Sequence, residues 1–204
     1  MAGILQYCFL ILIFGIPTHT CAAVVQNAKC VREEPCFDLH LLANMAERVS
    51  KDVTAADGEK ILLKHRSFDK IGKRRNLHSC VLQKIIKLFH DVLDKTKGNY
   101  VPKDEEINHH LELIHVMDRL KNCLYETKDK CKKLYKMADI TTTSSPAIPE
   151  KNMNPNQLAV LQLQKLKYAS ERLSNVDIQE MVMDELKSLH LYMRGKGFRK
   201  NTND

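Results

Sequence analysis

The sequence predicts an all-α fold, a disulfide-tied helical bundle, and three observations predict it. The chain has only 7 Gly and 6 Pro in 204 residues and is rich in Leu, Lys, Glu and Met, which suits helices better than the turns of a β-sandwich. Apolar residues recur at helical spacing, most clearly in Cys80–Leu93, CVLQKIIKLFHDVL. There Val81, Ile85, Leu88, Phe89 and Val92 fall on one face of a 3.6-residue helix, with Lys84, Lys87 and Asp91 largely off it. Seven cysteines follow or lie within an N-terminal apolar run, the usage of an oxidising compartment. The length suits one domain with a tail.

The N-terminus reads as a secretory signal over residues 1–23. Cys8–Ile16 is an apolar core, Pro17 ends it, and small residues follow at Thr20-Cys21-Ala22-Ala23. The run is too short to span a bilayer, which takes about 20 residues. No other stretch is a membrane-spanning candidate, so the expected product is secreted and extracellular with no membrane attachment. The formal charge is +7 and the first 24 residues carry none of it, so the mature surface favours polyanions, acidic partners or anionic membranes. Cleavage after Thr20 leaves Cys21, Cys30, Cys36, Cys80, Cys123 and Cys131, whereas cleavage after Ala22 or Ala23 leaves five. Six cysteines allow 15 pairings, and the residues alone do not choose among them.

In order, residues 24–35 form an extended leader that holds Cys30 and ends at Pro35. A first helix runs from Phe37 to about Ser50 on Leu41, Leu42, Met45 and Val49. Residues 59–75 form a short helix or irregular crossover, ended by Gly72. A long helix spans about Asn76 to Lys95, and another runs from about Lys103 through Ile107, Leu111, Ile114, Met117 and Leu120 to Leu124. Acidic residues Asp104, Glu105 and Glu106 suit its first turn. Residues 138–157 carry three Pro and a Thr/Ser run and read as a flexible insertion loop with a composition suited to O-glycosylation. Two helices close the 24–193 domain, Leu158–Leu173 and Val176–Met193, the second capped by Ser174 or Asn175. Residues 194–204 form a basic, mobile tail.

Little in the chain suggests catalysis or cofactors. Glu106-x-x-His109 and Glu112-x-x-His115 have the spacing of di-iron bundles, but both sit on one helix about 120° apart and cannot converge. His65, His78 and His90 have no better ligand partners. There is no CxxC pair, no G-x-S-x-G and no phosphate-binding glycine loop. We therefore expect neither an enzyme nor a bound metal or cofactor. Lys60, Lys64, Arg66, Lys70, Lys73, Arg74 and Arg75, with Arg194, Lys196, Arg199 and Lys200, form a basic set that suits heparan sulfate; a solvated basic surface is the plain alternative. Nucleic acid is not expected, because no aromatics interleave with the cations.

Three stretches resemble a known family. Cys80, Leu82, Ile86, Phe89, Asp91, Val92 and Leu93 are similar to the third helix of the interleukin-10 family of class II helical cytokines. Met117-Asp118-Arg119-Leu120-Lys121-Asn122-Cys123, followed by Cys131, resembles that family's fourth helix. Cys30 or Cys36 stands where the framework has an N-terminal cysteine, and IQEMVMDELKSLHLYM is similar to the last helix, with Asp184 six residues after Ile178. The resemblance covers about residues 30–193. It implies a six-helix, disulfide-tied class II cytokine bundle whose second helix is the short segment near 59–71. It also implies one N-terminal cysteine paired with Cys123, and Cys80 paired with Cys131.

The implied activity is binding of two class II cytokine receptor chains and Janus kinase–STAT signalling in immune or epithelial defence, by a monomer or swapped homodimer. The family's receptor-facing surface maps by location onto Lys60, Lys64, Arg66, Asp177, Asp184 and Lys187. Three features depart from the family pattern: the long 138–157 insertion, the wide Cys123–Cys131 spacing and a last helix that also fits interferon-gamma. Framework cysteines Cys80, Cys123 and Cys131 argue against interferon-gamma. The basic crossover looks more like the interleukin-22, -26 or -20 branch than interleukin-10 itself. A heparin-binding or antimicrobial helical protein, and a carrier with a helical cavity, are the alternatives from other classes.

Overall fold

The computed structural model describes residues 38–53, 60–99, 108–125, 128–140 and 149–198. Their regular secondary structure is helical, with no strand among them. The elements are α1 (Leu39–Val49), α2 (His65–Gly72), α3 (Arg75–Thr96), α4 (His109–Cys123), α5 (Lys128–Ile140), α6 (Pro155–Glu171), α7 (Val176–Leu186) and α8 (Leu189–Tyr192). The signal stretch, Cys30, Cys36, residues 104–106 and residues 199–204 lie outside the described residues. No described helix is long and apolar enough to cross a membrane.

Helix α3 is the axis, packed by α2, α4, α5, α6 and α7. Its burial extends past the stripe read from the sequence. Leu82, Ile86 and Leu93 are as enclosed as Val81, Ile85 and Phe89, because neighbours cover it on more than one side. In α4 the buried face is Leu113, Val116, Met117, Leu120 and Cys123. Leu111 is 44% exposed, so the sequence-read stripe was out of phase at its start. Likewise in α1, Leu42, Met45 and Ala46 are buried while Leu41 faces out.

Local chemistry sets most helix ends. Asp38 caps α1 by accepting from the His40 N–H at 2.7 Å, and Asn108 caps α4 by accepting from Leu111 N–H at 3.1 Å. Asn154 and Gln157 form a reciprocal capping box at the start of α6, with Pro155 as its first residue. That cap starts α6 inside the stretch expected to be loop. At its other end, α5 carries helix on through Ala138, Asp139 and Ile140. The 138–157 stretch is therefore helical at both margins, and residues 141–148 lie outside the described residues. The last helix, expected unbroken to Met193, breaks after Leu186. There Ser188 Oγ donates back to the Glu185 carbonyl at 2.9 Å, competing with the helical ladder.

One disulfide joins described residues, Cys80 in α3 to Cys131 in α5, with Cα atoms 5.3 Å apart. It closes a sequence separation of 51 residues, which in the chain-entropy account stabilises the fold by about 4 kcal/mol. Cys123 is also disulfide-bonded, and its partner lies outside the described residues.

The tail is the clearest difference from the sequence reading. Residues 194–198 are not loose: Phe198 is 1% exposed, and the segment runs as a strap across the α2–α3 corner. Tyr125 N–H donates to the Gly197 carbonyl at 2.8 Å, and Lys196 N–H donates to the Gly72 carbonyl at 3.0 Å. A large aromatic gains too much from burial to stay in solvent, and the flanking glycines let its backbone approach closely. Phe198→Ala should therefore cost about 3 kcal/mol, read as a shift in the urea unfolding midpoint, although a mobile tail residue would cost nothing.

Candidate functional site

Five of the six residues expected to face a receptor, all but Arg66, lie on or at the end of a segment and a helix that buried polar groups hold together. Residues 60–64 form an irregular run ahead of α2 that bends at Ile61 and Leu62, with Ile61, Leu62 and Leu63 buried and Lys60 and Lys64 exposed. Three consecutive backbone N–H groups in that run have no helical partner and would be costly to bury bare. Glu185 of α7 takes two of them: Oε1 accepts from Ile61 N–H at 2.5 Å and Oε2 from Leu62 N–H at 2.7 Å. Gln162 of α6 takes the third, accepting from Leu63 N–H at 2.8 Å, and its amide donates to the Ile61 carbonyl at 2.9 Å. Tyr192 closes the clamp by donating its hydroxyl to the Leu63 carbonyl at 2.7 Å. Burial pushes the Tyr192 phenol up to about 12. Burial also raises the Glu185 carboxyl, outweighing the two backbone donors and the cations of Lys60 and Lys165, which pull it down.

This clamp ties Lys60 and Lys64 to the helix that carries Asp184 and Lys187. Lys187 Nζ lies 2.8 Å from Asp184 Oδ1 and donates to the Val53 carbonyl at 2.9 Å, joining the end of α7 to the turn that follows α1. Asp177 is exposed in the first turn of α7, two turns before Asp184 and on the same stripe. Arg66 is exposed on α2. Among the described residues, no hydrogen bond or ion pair joins the side chains of Arg66 and Asp177 to the other four.

The basic set divides. Lys70 is half-buried, and its ammonium donates to the Lys151 carbonyl at 2.9 Å and the Met153 carbonyl at 3.3 Å, so it serves the turn before α6 and not the surface. Lys73, Arg74 and Arg75 are exposed at the α2–α3 corner, and Arg194 and Lys196 are exposed on the strap that crosses it. Arg199 and Lys200 lie outside the described residues.

Under the strap sits His78, which the sequence reading weighed only as a metal ligand. His78 is fully buried in α3. Its Nδ1 accepts from Gly197 N–H at 2.9 Å, which places the ring proton on Nε2, 3.0 Å from the Tyr192 carbonyl. The ring also packs edge-on against Phe68, centroids 5.6 Å apart. Burial pulls the imidazole down to about 4, partly offset by its bond to the Tyr192 carbonyl. The signal that could have found His78, Gln162 and Glu185 is their register. Each lies on the apolar stripe of its own helix, where a polar side chain must have a buried partner.

Among the described residues, no three His, Cys, Asp or Glu side chains group to hold a metal ion. His109, from one of the E-x-x-H pairs, instead meets Arg48 Nη1 at 2.9 Å through Nε2. The protein was compared with family models, curated proteins and solved structures, and nothing matches in any of the three.

Two outcomes follow from this geometry. Glu185→Ala orphans two buried N–H groups and should cost about 2–4 kcal/mol, with amide exchange at Ile61 and Leu62 accelerating well ahead of the rest of the core. Unfolded His78 takes up a proton below its ordinary value of 6.5, whereas folded His78 resists until about 4. Its contribution to stability is therefore complete above pH 6.5 and is lost as pH falls toward 4, about 3 kcal/mol in all. Urea titrations from pH 7 to 4.5 should show that decline for the native sequence and not for His78→Asn, which cannot titrate.

Proposed function

We propose that the chain is a secreted class II helical cytokine of the interleukin-10 type. It binds two class II cytokine receptor chains and triggers Janus kinase–STAT signalling in immune or epithelial defence. The observation that carries this reading is the Cys80–Cys131 bond. It fastens the start of a central helix to a cysteine just beyond α4, whose last residue, Cys123, is itself disulfide-bonded.

The arrangement of helices supports the same reading. The six helices expected of such a bundle correspond to α1, α2, α3, α4, α6 and the α7–α8 pair. Helix α5 is additional to that plan and carries Cys131, which accounts for the wide spacing from Cys123. The receptor-facing surface combines the clamped 60–64 segment with the outer stripe of α7, so Lys60, Lys64, Asp184 and Lys187 are presented on a fixed frame. Fixing charged side chains before binding lowers the ordering cost of association.

The test is binding of the secreted protein to immobilised class II receptor ectodomains, with STAT phosphorylation in epithelial cells and leukocytes. Lys64→Glu with Asp177→Lys, both at exposed positions, should weaken binding about tenfold through slower association, while the unfolding midpoint stays put. A folded protein that binds no class II ectodomain and raises no STAT phosphorylation overturns the reading.

A further inference from the structure

We propose that Lys73, Arg74, Arg75, Arg194 and Lys196 form one bipartite site for a sulfated polysaccharide of the heparan sulfate class. The two halves are about 120 residues apart in sequence, and the backbone stitches them together. Lys196 N–H donates to the Gly72 carbonyl, the residue before Lys73. Gly197 N–H donates to His78 Nδ1, three residues past Arg75. Phe198 anchors the end of the strap in the core. The approach is close enough to require glycine. A Cβ on Gly195, at φ +148°, would lie 2.5 Å from His78 Cε1 and 2.9 Å from the Gly72 carbonyl oxygen.

All five cations are exposed, and none forms an ion pair with a described carboxylate. Like charges held at fixed backbone spacing repel one another, and a flexible polyanion with a repeating charge relieves that repulsion along its length. Other partners fit less well. Tyr125 is the large apolar side chain exposed beside the patch, and the Arg75 guanidinium lies over its ring, 5.2 Å from the centroid. The patch therefore lacks both the apolar centre of a protein interface and the free aromatic faces on which nucleic-acid bases stack. This site is independent of the receptor reading, since it shares no residue with that surface.

The experiment is heparin affinity of the full secreted chain as a function of salt. Removing Lys73, Arg74 and Arg75, or Arg194 and Lys196, by alanine substitution should each lower the salt slope by roughly one per cation removed. The charge-matched control Lys130→Ala, Lys133→Ala, Lys136→Ala on α5 should leave at least two-thirds of the native slope. Gly195→Ala changes no charge but displaces the strap, and should weaken heparin binding as much as loss of Arg194 and Lys196. Loss in the α5 control equal to that in the patch variants, unchanged binding in Gly195→Ala, or equally potent competition by a DNA duplex overturns the proposal.

Discussion

A helix enclosed by five others has almost nowhere to put a polar side chain, and α3 is such a helix. Its lysines at 84 and 87 occupy the narrow outward strip, and Lys84 lies over the Tyr135 ring, 4.6 Å from the centroid. Away from its two ends, its buried positions are apolar or, like His78 and Ser79, internally hydrogen-bonded. That requirement reaches outward through the fold. Cys80 leaves its carbonyl to the Tyr135 hydroxyl at 2.9 Å while its sulfur holds α5, and burial pushes that phenol up to about 12. His78 has both nitrogens taken up by backbone. Leu93 gives its carbonyl to His110 Nε2 at 2.7 Å. The partners of α3 are thus fixed by hydrogen bonds as well as by packing, and that directionality gives the bundle one arrangement where apolar contact alone would allow several.

The same logic explains the irregular run before α2. Three buried N–H groups in a non-helical segment are tolerable only because Glu185 and Gln162 meet them from two helices. A carboxylate spanning adjacent amides is stronger than a neutral acceptor, and its burial is the cost of that strength. The clamp converts a loop into a rigid edge, which a binding surface needs and a solvated loop does not supply.

Much of this architecture was legible in the sequence, and the failures have physical causes. The all-helical class, the α3 stripe, the stop at Gly72 and the Asn175 cap follow from periodicity and from side chains acting on their own neighbours. Helix α5 was missed because five lysines in thirteen residues hide the helical spacing of Cys131, Leu134 and Ala138. The strap was read as tail because a run of Arg, Lys and Gly looks solvated until Phe198 is paired with Leu124, far from it in sequence. Of the sites, the exposed cations were found by composition. Their grouping was not, because it depends on the Lys196–Gly72 bond and on the diversion of Lys70 to the turn before α6. Glu185, Gln162 and His78 sat in plain view on apolar stripes, but their partners are long-range and no local pattern names them.

The Cys80–Cys131 bond also decides which parts of the molecule could be traded between two copies. Helices α3, α4 and α5 form a covalent ring within one chain, so none of the three can leave without the others. An exchange that keeps the bond intact therefore has to cut the chain outside that ring. On the C-terminal side the cut falls after Ile140, and the travelling unit is α6, α7 and α8. That unit carries Gln162, Glu185 and the strap. A swapped dimer built this way would assemble each clamp and each basic corner from two different chains, where the single chain builds both by itself.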